Sequence, residues 1–141
     1  MSDPLADVIE LRLPPDDKYL SVVRLTVGGV AARAGVSVDD VDDLKVAVCE
    51  AVTNAIEHAY EGMERRLVVL RMAPSAGELR IEVIDEGVGF DASSRKFHPE
   101  ADIAGDGGLG LYLVHRYMDD VRIESAPGSG TRVIMTKRLA R

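Results

Sequence analysis

Apolar and polar residues follow two different periods along this chain, and the switches between them mark its elements. Val8 to Leu13 alternates apolar and charged side chains, the pattern of a half-buried strand that Pro14–Pro15 ends. Asp16 or Asp17 can then cap a helix running to about Ala34, with Leu20, Val23, Val27 and Val30 on one side and Gly35 as its stop. Within it Gly28–Gly29 lowers helix propensity and marks a place for close packing. Ser37, with Asp40 three positions on, opens a second helix expected to reach about Tyr60, with Gly62 just beyond. Arg66 to Met72 and Glu78 to Asp85 read as strands around a turn at 74–77. Gly87 to about Asp106 has little apolar periodicity, Gly108 to Met118 is a short helix, and Val121 to Ser125 with Thr131 to Leu139 forms a closing hairpin. This order predicts an α/β two-layer sandwich: a mixed, mostly antiparallel sheet with three helices on one face.

The second helix separates sharply by face. At about 100° per residue, Leu44, Val48, Ala51, Val52, Ala55, Ile56 and Ala59 share one arc, while Asp43, Glu50, Asn54 and Glu57 lie opposite. Glu50 and Asn54 therefore project away from the sheet, one turn apart. One reading is a solvated polar face. The other is chemical: Asn54 offers a neutral oxygen to a phosphate-bound Mg²⁺, and Glu50 accepts a proton from a hydroxyl or water attacking a terminal phosphate. His58 falls to one side of this pair and reads as peripheral.

Two glycine segments change the picture further. Asp85–Glu86–Gly87–Val88–Gly89 follows a strand, so Asp85 can either cap a turn or hydrogen-bond an exocyclic amine while Gly87 and Gly89 let the backbone bend beside a flat ring. Gly107, Gly108, Leu109 and Gly110 open the third helix, where free amides suit an anion; a flexible hinge is the plainer alternative. No Gly–Lys–Ser/Thr loop or dinucleotide fingerprint is present. A stretch at about 90–106 is long enough to serve as a lid, and its Arg95 and Lys96 are either phosphate contacts or solvated charges. Gly128–Ser129–Gly130–Thr131 reads as a hairpin turn, with Thr131 able to reach the same base.

Composition narrows the partners. The 141 residues fit one domain, 1–141, and the net charge of −7 argues against nucleic acid as main partner. The single cysteine, Cys49, excludes an internal disulfide framework and reads as a plain buried thiol in a reducing compartment. No apolar run approaches the roughly 20 residues of a membrane span, and the Met–Ser–Asp–Pro start carries no basic-then-apolar leader, so a cytoplasmic protein with no membrane contact is expected.

Taken together, these segments resemble the gyrase and histidine-kinase ATPase superfamily, the Bergerat fold, and within it the bacterial anti-sigma-factor serine kinases. The stretch from Glu50 to Tyr60 is similar to that family's first motif and Asp85 to Gly89 to its second. Gly107 to Val114 with Met118 to Val121 is similar to the third, and Gly128 to Thr131 to the fourth. The resemblance implies ATP and Mg²⁺ as cofactors, phosphorylation of a serine on an anti-anti-sigma protein, sequestration of a sigma factor, and a possible homodimer. It implies Glu50 as catalytic base, Asn54 as metal ligand, Asp85 as adenine reader, Gly87 and Gly89 as the turn beneath the base, and Gly107, Gly108 and Gly110, with Leu109 between them, as a phosphate rim. Thr131 would sit at the adenine end. One departure stands out: some relatives place a basic residue just before these glycines, and this chain has Asp106, whose carboxylate repels phosphate unless it points away or faces the metal. Three other activities fit the same motifs: an ATPase in which Glu50 activates water, a nucleotide-dependent binding module without chemistry, and the catalytic domain of a histidine kinase. The last lacks a phosphoacceptor helix pair before Val8, and none of His58, His98 and His115 lies on an additional dimerisation helix.

Overall fold

A computed structural model describes residues 7–89 and 108–139. The elements run β1 (Ile9–Leu13), a 3₁₀ turn (Asp17–Tyr19), α1 (Leu20–Ala34), α2 (Val38–His58), β2 (Val68–Pro74), β3 (Glu78–Asp85), α3 (Gly108–Tyr117), β4 (Asp120–Ser125) and β5 (Thr131–Arg138). The strands form a sheet in the order β1-β2-β3-β5-β4, and every neighbouring pair is antiparallel. The mixed sheet allowed by the sequence is thus an antiparallel one among the described residues.

Local chemistry explains the boundaries. Asp16 accepts from the Lys18 amide at 3.1 Å, so the first helix opens as a 3₁₀ turn before α1 begins at Leu20. Gly35, at φ 96°, ends α1, and Val36 donates back to the Ala31 carbonyl at 3.0 Å, closing the last turn. The Ser37 hydroxyl accepts from the Asp40 amide at 3.2 Å and caps α2, an arrangement worth about 1 kcal/mol. The strand expected from Arg66 begins instead at Val68. Arg65 and Arg66 belong to the preceding loop and use their side chains as ties, Arg65 to the Pro15 carbonyl and Arg66 to Glu86 at 3.3 Å. Gly28 does mark close packing, since the stem of Lys45 lies against it; Gly29 faces open space.

The core lies between the helices and one face of the sheet. Val23 and Val27 of α1, Leu44, Val48 and Val52 of α2, and Leu70, Met72, Leu79, Ile81 and Met135 of the strands are fully buried. Burial of each such side chain contributes roughly 1.5–3 kcal/mol. α2 is the central helix: α1 and α3 both pack against it, and it crosses β2 and β3. Ile56, expected on its apolar arc, is only partly buried, whereas Ala47 is fully buried. The sheet's opposite face is charged. There Glu82, 7% exposed, is surrounded by Arg80 at 3.4 Å, Arg71 at 3.6 Å and Arg132 at 3.7 Å. One carboxylate with three guanidiniums lets an apolar sheet carry a polar outer surface.

Candidate active site

The C-terminal end of α2, the end of β3 and the β4–β5 turn meet at one place. Asp85 is the last residue of β3, and its register partner on β5 is Thr131, which pairs in turn with Ser125 on β4. Directly opposed residues share a sheet face, so these three side chains lie on the helix-covered side. Asp85 is buried at 8% exposure. One carboxylate oxygen accepts the Gly87 amide at 2.8 Å, and the Thr131 backbone also donates to the group. Burial pushes its pKa above the ordinary carboxylate value, and those two backbone bonds oppose the shift. The Thr131 hydroxyl pairs with Ser125 Oγ at 2.8 Å, and Ser125 Oγ also reaches the Gly130 carbonyl at 3.0 Å. A cleft of about 420 Å³ at this end of the sheet is lined by Asp85, Ser125, Gly130 and Thr131 and also by Ile84, Glu124 and Arg132, which belong to the opposite, charged face.

The glycines of this region are demanded by backbone packed on backbone. A Cβ on Gly87 would collide with the Ala59 carbonyl at the end of α2. Gly89, at φ 64°, sits against the Ala126 carbonyl in the β4–β5 turn. Hydrogen bonds seal the same contacts: Val88 donates to Ala59 O at 2.7 Å, and Gly128 donates to Val88 O at 2.7 Å. The Asp85 turn and the 126–130 turn are therefore one stitched unit, which reading each as a separate turn did not reveal. The periodicity also missed Tyr60, buried at 7%, whose hydroxyl accepts the Glu86 amide at 3.1 Å and donates to the Leu67 carbonyl at 2.8 Å. Its place just past a helix end was the only sequence signal.

Glu50 and Asn54 lie on α2 away from the arc that meets the sheet, and both are half-buried rather than fully solvated. Glu57 and His58, further along, are exposed. His58 engages Glu61 at 3.0 Å and Glu57 at 3.7 Å, in keeping with a peripheral role. Gly108, Leu109 and Gly110 form the first turn of α3, so that part of the glycine run opens a helix packed against α2. Gly107, Arg95, Lys96, Asp106 and the stretch at about 90–106 lie outside the described residues. Cys49 is half-buried on α2; burial raises its thiol pKa, with Arg24 opposing, so it is a poor nucleophile. Among the described residues no helix is long and apolar enough to cross a membrane.

Known proteins are similar to this chain over most of its length. The family described as "Histidine kinase-like ATPase domain" matches residues 13–137. The "Serine-protein kinase RsbW" of Bacillus velezensis is 41% identical over 140 residues, covering 94% of this chain and 86% of that protein. The protein of the same name from Bacillus subtilis is 40% identical over 141 residues, covering 95% and 87%. Among solved structures, one of the RsbU and RsbW domains of a Mycobacterium tuberculosis protein superposes with a TM-score of 0.70 at 24% identity, over 96% of this chain and 33% of that one. A histidine kinase domain from Erythrobacter litoralis superposes at 0.60 and 22% identity, over 89% and 61%, a likeness of fold. ATP-dependent kinase chemistry follows from the sequence relatives and the matched domain. The chain belongs to the histidine kinase-like ATPase family, in the branch of the RsbW serine-protein kinases.

Proposed function

We propose that this chain is an anti-sigma factor that phosphorylates a serine of an anti-anti-sigma protein and, in its alternative complex, sequesters a sigma factor. The observation that carries the site is the stitched frame. Asp85 is buried and oriented on a turn fastened to the end of α2, the helix that presents Glu50 and Asn54 one turn apart. Asp85 would accept from the adenine amine, with Thr131 beside it. Gly87 and Gly89 would hold the turn beneath the base. Gly107, Gly108, Leu109 and Gly110 would rim the phosphates with the N-terminus of α3.

The residues present fit Mg²⁺. Among the described residues no group of three acidic, histidine or cysteine side chains clusters. A magnesium ion that arrives on the nucleotide keeps water and phosphate ligands and needs few from protein, and Asn54 supplies one neutral oxygen. Bound there, the ion would neutralise charge on the phosphates. Glu50 takes the proton from the serine hydroxyl as that oxygen bonds to the γ-phosphorus. The bond from the γ-phosphorus to the bridging oxygen breaks, and ADP leaves with the electron pair.

A homodimer is consistent with the open edge of β1, where Val8 and Ile9 are 54% and 40% exposed. A cytoplasmic location and one ATP-binding domain over the whole chain complete the reading. Calorimetry with Mg²⁺ and ATP should register uptake, and γ-labelled ATP should then label a serine of an added anti-anti-sigma protein. Release of free phosphate with no labelled serine would replace the kinase reading by that of an ATPase.

A further inference from the structure

Three consecutive amides follow Asp85, and each already has a partner. The Glu86 amide donates to the Tyr60 hydroxyl, the Gly87 amide to Asp85 itself, and the Val88 amide to the Ala59 carbonyl. Two of those partners, Ala59 and Tyr60, are adjacent residues at the end of α2. The turn is therefore held to α2 on both sides of the Gly87 bond, which with the Thr131 amide aims the Asp85 carboxylate. The Tyr60 hydroxyl adds a third point, because it donates to the carbonyl of Leu67 just before β2. Burial raises the Tyr60 pKa and keeps the hydroxyl able to donate.

We propose that Tyr60 is a positioning residue for the kinase reaction: its hydroxyl fixes the Asp85 turn against α2 and so sets the spacing between the adenine-reading carboxylate and the Glu50–Asn54 pair. The inference rests on the reading of this region as the nucleotide site. About 14 Å of helix separates Glu50 from Ala59 at the usual rise per residue, a span comparable to an extended nucleoside triphosphate from base to terminal phosphate. A turn that slides on the helix end changes that span and leaves Glu50 and Asn54 themselves in place. The role needs the hydroxyl rather than the ring. Glu86 and Leu67 are both exposed residues, so water can replace the lost bonds without a large cost in stability, while the positional tie disappears.

The test is Tyr60→Phe in the full chain. Val121→Ala on β4 serves as a control, chosen because it loses stability without touching the tie. Tyr60→Phe removes two part-buried hydrogen bonds and should weaken the Kd for Mg²⁺-ATP by about tenfold and lower the preference for ATP over GTP. The kcat at saturating ATP should change less than twofold. Hydrogen exchange at the Glu86 amide should speed up, and Val121→Ala should show none of these changes at a comparable melting temperature. ATP affinity and base preference within twofold of the parent would overturn the proposal, as would an equal loss in Val121→Ala. Failure of the parent protein to take up ATP would instead defeat the nucleotide-site reading itself.

Discussion

The C-terminal end of α2 and the stretch around Glu50 and Asn54 are built differently. At the C-terminal end, backbone meets backbone: Ala59, Gly87, Val88, Ala126 and Gly128 interlock, and Asp85 is buried among amide donors. Midway along the helix, Glu50 and Asn54 are half-buried side chains one turn apart on a well-packed helix. The first design fixes a hydrogen-bonding edge before any ligand arrives, which suits recognition of a rigid base. The second presents an acid and an amide on one helix face, which suits the proposed proton transfer and phosphate-bound metal. Under the proposed function, backbone preorganisation serves base selection and the helix face serves the reaction.

Substitutions separate the two regions. Glu50→Ala should give the largest change: serine labelling should fall by roughly 10²–10⁴-fold, the usual contribution of a general base, with ATP affinity retained. Wild-type labelling in a single-turnover assay would remove Glu50 from that role. Asp85→Asn should act on selection instead. Loss of a hydrogen bond to a charged acceptor costs about 1.5–3 kcal/mol, or roughly 10–100-fold in discrimination between ATP and GTP, read by competitive calorimetry. Gly87→Ala tests the interlock by forcing a methyl group into the Ala59 carbonyl; a loss of about 1–3 kcal/mol should appear as a lower urea midpoint.

Acidity distinguishes binding from folding at Asp85. Its folded pKa lies above the unfolded value of about 3.9. Ionisation therefore costs the unbound protein stability as pH rises between the two values, and the cost persists at neutral pH. In the proposed adenine-reading role ATP binding should have the opposite dependence, because the ionised group is the better acceptor. Affinity should fall on acidification, beginning above the ordinary aspartate range, and that limb should be missing from Asp85→Asn titrations. The smallest effect concerns Cys49: half-buried and with a raised pKa, it should alkylate with iodoacetamide far more slowly than free cysteine at pH 7 in the native protein.

Much of this was legible in residue order. The period of 3.6 placed Leu44, Val48 and Val52 in the core and Glu50 and Asn54 away from it. Ser37 and Gly35 marked helix ends because capping is a local event between residues a few positions apart. Strand β2 was expected two residues early because Arg66 stands directly before the apolar run Leu67–Leu70, yet its guanidinium is drawn off to Glu86, twenty positions away. The expected hairpin already set Ser125 against Thr131 and the first motif ended at Tyr60, but no local pattern showed that the Tyr60 hydroxyl meets the Glu86 amide or that Thr131 meets Asp85.

Sequence alone determined the elements, the faces they bury and the residue types able to handle a nucleotide, because period, capping and turn chemistry act over a few residues. Tertiary structure decided which of those residues share a site. It set the strand order that brings Asp85 opposite Thr131, and it packed the glycine turns so closely on α2 that only a missing side chain fits. Such contacts join positions as far apart as Asp85 and Thr131, and their geometry exists only once the sheet and helices have closed on a common core.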